Sequence, residues 1–297
     1  MDKKGKEPMP KIGIVLSGCA GKGAYEVGCL QAITEYFGIE NIKCISAASM
    51  GAFVAQSYGM TGMDGLEKAF REMDSGKYGK YILGFATCKE AEPIMRELFC
   101  RENKIPYEHY VAIWNLTRSR AEYIPFHELT EEDVLPYMLG ALSVPLFSKG
   151  VIINGDRIFD GAFVDNIPMS PLLDKDLDFI FCVYFDNAKY VFESENFNRK
   201  IVKLYDFPNK DRLKLLLYEP GSYERMRSYG YDYAMGEIKK LFDGRETDEV
   251  YEAISKNEFK DTSHKRRLTA DVVLNNLNVM TKRYFKSSIA RERKKNK

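Results

Sequence analysis

An apolar run of strand length, Ile12 to Leu16 (IGIVL), opens directly onto a glycine-rich stretch, Ser17 to Gly23 (SGCAGKG). A helical pattern follows. Val27, Leu30, Ile33 and Phe37 recur at spacings of three and four, and Gly38 is placed to stop the helix. Residues 42–46 (IKCIS) read as a second short strand. Small residues then fill 47–52, and Phe53, Val54 and Tyr58 begin another helix. Two short buried strands separated by a helix need a crossover connection. A parallel sheet with helices on its faces supplies it.

The rest of the chain continues in the same style. Leu66, Ala69, Phe70 and Met73, and then Ile94, Met95, Leu98 and Phe99, have helical spacing. Met60, Met63, Tyr78, Tyr81, Ile82, Leu83 and Phe85 lie among glycines and suit a lid or acyl pocket as well as ordinary core. Residues 110–116 and 121–126 read as strands joined by TRSR. A helix is expected from Thr130, with a ragged start because of Pro136. Residues 151–159 read as a hairpin turning at Asn154-Gly155, and 178–186 as a fully buried strand. Beyond about residue 195 charge rises and helical stripes dominate, at Tyr223, Met226, Gly230, Ala234, Ile238 and Leu241, and again over 271–280. The 297 residues therefore divide into an α/β unit, 1–195, and a helical C-terminal region, 196–297.

Composition excludes several classes. Lys and Arg total 44 against 43 Asp and Glu, a net charge of +1, so the chain lacks the basic field of a nucleic-acid binder. The six cysteines show no C-x-x-C spacing and share no short spacing with the three histidines, so no metal site is expected. They read as free thiols of a reducing cytoplasm. No apolar signal segment precedes residue 12, and no run approaches the ~20 apolar residues of a spanning helix. The expectation is a soluble, cytoplasmic protein.

Three stretches can carry chemistry. Ile45 to Ala52 (ISAASMGA) places Ser49 between a strand and a helix with small neighbours. Those are the steric needs of a nucleophile elbow, although a plain Ser N-cap needs no more. Ser17 to Gly23 can point several amides at an anion, or can simply be a tight turn. It is not a Walker A loop, because Gly23 follows Gly21-Lys22 and position 16 is Leu. Nor is it G-x-G-x-x-G, because Gly21-Lys22-Gly23 leads to Glu26. Finally, Asp160-Gly161 follows a strand, where Asp160 can accept a serine proton or merely form an Asp-Gly turn.

Taken in order, the three stretches resemble the patatin-like phospholipases. That family carries G-G-G-x-K/R-G after its first strand, then G-x-S-x-G, then D-G-G or D-G-A. Here the matching residues are Gly18 to Gly23, Ala47 to Gly51, and Asp160 to Ala162. GAYEVGCLQAI after the loop, ALSVPLF before Asp160, and DNIPMSPL from Asp165 also look like the family. The resemblance covers about residues 11–190. It implies a three-layer α/β fold with a mainly parallel central sheet flanked by helices, here with the helical C-terminal extension. It also implies a serine hydrolase of acyl lipids that works through an acyl-enzyme without metal or organic cofactor. Ser49 would be the nucleophile and Asp160 its general base. The oxyanion hole would come from Gly18, Cys19, Ala20 and Gly21.

The sequence departs from the pattern at Cys19, Ala20 and Ala47, where the family has glycine. A Cβ at a position needing positive φ costs ~1 kcal/mol or more. The alternative is therefore a weak or inactive scaffold that binds acyl chains or a regulatory partner. A third reading adds His264 as a triad histidine. The expected partners are an acyl-lipid substrate and no nucleic acid. From Thr281 the tail holds eight Lys or Arg against one Glu, which suits peripheral contact with an anionic membrane.

Overall fold

A computed structural model describes residues 9–75, 92–99, 105–145, 147–185, 189–205, 221–258 and 265–268. The elements are β1 (Ile12–Leu16), α1 (Gly23–Phe37), β2 (Ile42–Ala48), α2 (Met50–Asp74), α3 (Glu92–Phe99), β3 (Glu108–Asn115), β4 (Arg120–Pro125), α4 (Glu131–Ala141), β5 (Val151–Ile153) and β6 (Asp156–Asp160). After them come β7 (Phe179–Val183), β8 (Tyr190–Phe192), α5 (Glu195–Asn198), β9 (Ile201–Leu204), α6 (Tyr223–Phe242), α7 (Thr247–Glu258) and β10 (Lys265–Arg267).

The main sheet runs β5-β6-β3-β2-β1-β7-β9, with β4 paired to β3. β2, β1, β7 and β9 are parallel to one another, and β3 is parallel to β2. β4, β5 and β6 form antiparallel pairs. β1 and β7 are buried along their whole length, which explains their unbroken apolar sequences. On one face Leu30, Ile33, Phe37, Phe53, Phe70, Val111 and Phe181 belong to the larger core. On the other, Val15, Cys44, Ile180 and Cys182 pack with Ile167, Met169 and Leu172. The fold is therefore the expected α/β arrangement with a mostly parallel sheet between helical and looped layers.

Several local expectations are refined. The two helical patterns after Ser49 are two helical segments, labelled together as α2, that meet at a kink at Gly62, where the backbone leaves helical geometry (φ 69°, ψ −171°). α4 does not start raggedly. It begins at Glu131 behind Thr130, whose Oγ1 donates to Asp133 Oδ2 at 2.8 Å, and Pro136 is carried inside the helix. The β5–β6 hairpin turns at Asn154 and Gly155, both at positive φ (50° and 83°). Met60 is buried and Met63 packs on the core, so these two serve packing. The other candidate lid residues, the 271–280 stripe, the basic tail and His264 lie outside the described residues. Among the described residues no helix is long and apolar enough to cross a membrane.

The C-terminal region is helical, and it also supplies β9 to the main sheet and β10 to a pair with β8. Helix α6 lies directly on α1. A Cβ on Gly28 would stand 2.0 Å from the Arg227 carbonyl oxygen, and one on Gly230 would stand 2.2 Å from that of Tyr25. The two helices thus touch backbone to backbone at reciprocal glycines. Gly230→Ala should lower stability by about 1–3 kcal/mol through overpacking. Gly236→Ala, on the same helix with nothing near its Cβ, should raise it by up to about 1 kcal/mol. Urea unfolding of both variants checks the pair. Equal effects would mean that α6 is not seated on α1 in this way.

Candidate active site

β3 offers one edge to two strands. β4 covers the other edge from Tyr110 to Asn115. β2 pairs along β3 as far as Ala48, opposite Ala112. β6 runs the opposite way and ends at Asp160, opposite Ile113, the next residue along. The ends of β2 and β6 therefore meet head-on, and both chains must turn away at once. Ser49 turns with φ 54° and ψ −126°, a conformation a non-glycine residue adopts only under constraint. Asp160 turns into a short 3-10 segment, Gly161–Phe163. Gly161 is required by crowding here, since a Cβ on it would lie 2.2 Å from the Ala112 carbonyl oxygen.

The consequence is a direct contact between two buried side chains. Ser49 Oγ donates to Asp160 Oδ2 at 2.5 Å. The other carboxylate oxygen, Oδ1, accepts the Ala162 N–H at 2.9 Å. The Asp160 backbone N–H is held by the Ser143 carbonyl at 2.9 Å. Burial pushes the Asp160 carboxyl up to about 6, while its bonds from Ser49 and Ala162 hold it from rising further. It is thus a stronger base than an ordinary carboxylate and still ionised at neutral pH.

The glycine-rich loop lies against this pair. A Cβ on Gly18 would stand 2.6 Å from both Ala162 Cβ and Asn166 Oδ1, and 3.1 Å from Ser49 Cβ. All three sequence stretches converge on that one residue. The Gly18 N–H donates to the Asn166 carbonyl at 3.3 Å, and the Lys22 N–H to the Cys19 carbonyl at 3.0 Å. The amides of Cys19, Ala20 and Gly21 donate to no described residue.

The three replaced glycines differ in their backbone. Ala47 sits inside extended β2, and Cys19 has φ −131°, so neither needs glycine. Only Ala20, at φ 46°, carries a Cβ in the left-handed region. Behind the loop, Cys19 Sγ donates to Glu26 Oε2 at 3.1 Å. Glu26 is fully buried, which pushes its carboxyl well above the usual range and favours the neutral form. Lys22 is lowered to about 8 by burial.

Sequence reasoning missed three of these supports. Glu26 sits in a helical stretch that gave no sign of facing the loop. Asn166 and Asp165 stood in a motif with no role attached. Asp165 is buried, accepts from Tyr123 Oη at 2.6 Å and from Arg267 Nη2 at 2.7 Å, and so ties β10 to the segment after Asp160. Only the motif DNIP could have flagged the first of those contacts, and nothing in sequence flags Arg267. The two described histidines lie elsewhere. His109 Nδ1 pairs with Gln56 Oε1 at 3.0 Å, and His127 Nδ1 lies 3.1 Å from the His109 amide nitrogen.

A family model for patatin-like phospholipases matches residues 14–173, which contain both members of the pair and the loop. The chain belongs to the patatin-like phospholipase family. It is accordingly a phospholipase or esterase, a hydrolase of lipid esters. No curated protein matches its sequence. Among solved structures it is similar to VipD from Legionella pneumophila, with 15% identity and a TM-score of 0.46, covering 78% of this chain and 67% of that one. It is also similar to ExoU in the ExoU–SpcU complex of Pseudomonas aeruginosa, with 14% identity and a TM-score of 0.42, covering 78% of this chain and 52% of that one. The match thus spans about half the length of ExoU.

The backbone angles make opposite predictions for two substitutions that both restore a family glycine. Ala20→Gly should stabilise the protein by about 1 kcal/mol, by relieving the left-handed alanine. Ala47→Gly should destabilise it by about 1 kcal/mol, by freeing a strand residue and removing a buried methyl. Chemical denaturation of the two variants checks the sign of each.

Proposed function

We propose that Ser49 and Asp160 act as a nucleophile and general base that cleave carboxylic esters of phospholipids or other acyl lipids. The 2.5 Å contact between Ser49 Oγ and Asp160 Oδ2 carries this reading. Asp160 takes the hydroxyl proton as Oγ attacks the ester carbonyl. The tetrahedral intermediate collapses to an acyl-Ser49, and the proton passes from Asp160 to the departing alcohol. A water then enters, gives its proton to Asp160 and attacks the acyl carbonyl. Release of the fatty acid returns the proton to Oγ.

The oxyanion needs donors aimed beside Oγ. We assign this role to the amides of Cys19, Ala20 and Gly21. Gly18, the fourth position expected from the sequence, has its N–H turned to Asn166 and serves the close approach of the loop instead. No cofactor enters these steps. We further propose that the basic tail from Lys282 makes peripheral contact with anionic membrane. Deleting residues 286–297 should weaken binding to anionic vesicles, and unchanged binding would remove that role.

Ser49→Ala and Asp160→Asn should each lower hydrolysis of a soluble p-nitrophenyl ester by about 10³-fold or more. A fluorophosphonate probe should label Ser49 in the native chain. Labelling elsewhere, or full activity in both variants, sinks the assignment. The rate should fall as pH drops through about 6, where Asp160 takes up its proton. The same group links pH to stability. Asp160 binds its proton more tightly folded than unfolded, so its contribution is complete below about pH 4 and is lost as pH rises through about 6. At about 1.4 kcal/mol per pK unit, that loss is about 3 kcal/mol. Asp160→Asn should therefore be more stable than the native chain at pH 7, and the gap should close towards pH 4. Unfolding at the two pH values measures it.

A further inference from the structure

Among the described residues five large hydrophobics are exposed, and four of them lie along β6, two beside its hairpin-tip end at Arg157 and two beside its Asp160 end. They are Leu116 (37% exposed), Phe147 (69%), Ile152 (55%) and Phe163 (44%). Their placement follows from register. β6 takes up the edge of β3 where β2 stops, so the β3–β4 and β5–β6 hairpins continue past the end of the parallel strands, on the side where Ser49 emerges. The Leu116 N–H donates to the Arg157 carbonyl, and the Arg157 N–H to Thr117 Oγ1, both at 2.9 Å. The two tips are therefore bound to each other. Ile152 stands opposite Arg157. Phe147 rides on the connection whose Ser143 carbonyl holds the Asp160 amide, and Phe163 closes the turn that follows Asp160.

The charges on this rim leave a small cationic excess at Lys149 and Arg157. Arg118, Arg120, Lys149 and Arg157 are exposed. The acids between them are half-buried and already paired, Asp156 to Arg118 at 2.6 Å and Glu122 to Arg120 at 2.7 Å. Single exposed apolar side chains need no explanation, but four of them along one strand, with Lys149 and Arg157 left as cations beyond the two ion pairs, do. Apolar side chains enter the acyl boundary of a bilayer while cations meet its phosphates. A protein partner fits less well, because these side chains stand singly on hairpin tips and turns rather than forming the continuous packed surface such a partner needs.

We propose that these two hairpin tips, with Phe147 and Phe163, form the surface that docks the enzyme on an anionic phospholipid bilayer. Docking there sets the mouth of the Ser49–Asp160 site against the membrane. It is distinct from any contact made by the basic tail. The choice of a lipid partner rests on the hydrolase reading, whereas the surface itself rests on exposure, register and charge.

The test is co-sedimentation of the full chain with two kinds of vesicle, phosphatidylcholine alone and phosphatidylcholine with phosphatidylserine in equal parts. The double variant Phe147→Ser, Ile152→Ser should bind both about tenfold or more weakly, since two apolar side chains no longer enter the bilayer. Lys149→Glu should weaken binding only where phosphatidylserine is present. Both should retain native turnover of soluble p-nitrophenyl butyrate, which also shows that they are folded. The loss should persist in a chain lacking residues 286–297. Native vesicle binding by the double variant overturns the proposal. So does a shift from dimer to monomer in sedimentation velocity with vesicle binding unchanged, which would make the patch a self-contact. Ser49→Ala separates the two readings. Inactive yet fully bound, it supports docking independent of chemistry. If it still turns over the soluble ester, the nucleophile assignment fails while the double variant still decides the docking.

Discussion

One edge of β3 is shared between β2, rising to Ala48, and β6, descending to Asp160. Two strands that meet end to end cannot both continue. Each must bend out of the sheet within one residue, and the residues at the bends are Ser49 and Asp160. Their contact is thus a product of sheet register more than of any local motif. The small residues around them follow from the same crowding. Gly161 is pressed on the Ala112 carbonyl, and Gly18 fills the space between Ser49 and Ala162. Removing the register would leave three motifs with no reason to touch.

The same junction sets the electrostatics. A carboxylate driven this deep would neutralise without compensation. Asp160 receives two donors, Ser49 Oγ and the Ala162 amide, which hold it near 6 rather than letting it climb further. The protein thereby keeps an anion that destabilises the fold at neutral pH. Such a group persists only if the surrounding packing exceeds its cost. The buried strands β1 and β7, with α6 seated on α1 through two glycines, are the elements that provide this packing. The distant C-terminal helix supports the fold that holds the charge.

How far this was legible in the sequence depended on distance along the chain. β1, α1, β2, the Asn154-Gly155 hairpin and β7 were readable because each is set by its own periodicity or turn chemistry. Ser49 and Asp160 were visible only through the ordered resemblance, since an Asp-Gly after a strand is ambiguous by itself. Unreadable were contacts made by register or by the far side of a helix. Glu26 lies within α1 with Val27 and Leu30, and only the folded loop shows its carboxyl behind Cys19. Likewise Arg267 reaches Asp165 across 102 residues, and no local pattern announces it. Pro136 misled for a different reason: tertiary packing of α4 against β6 tolerates a proline that an isolated helix would not.

The loop beside Ser49 shows why a motif written as a row of glycines need not be kept as one. A glycine can be needed for space or for a left-handed backbone, and the demands separate here. Gly18 answers the first, with no room for a side chain. Cys19 answers neither, so its replacement carries no backbone penalty and adds a thiol that anchors the loop to Glu26. Ala20 violates the second, at φ 46°. Strain of that kind survives only where neighbours over-determine the conformation. The neighbours here are the Gly18 bond to Asn166, the Lys22 bond to Cys19, and the Cys19 bond to Glu26, all within one short turn. The loop keeps the shape that glycine would permit freely because three bonds on either side of Ala20 impose it.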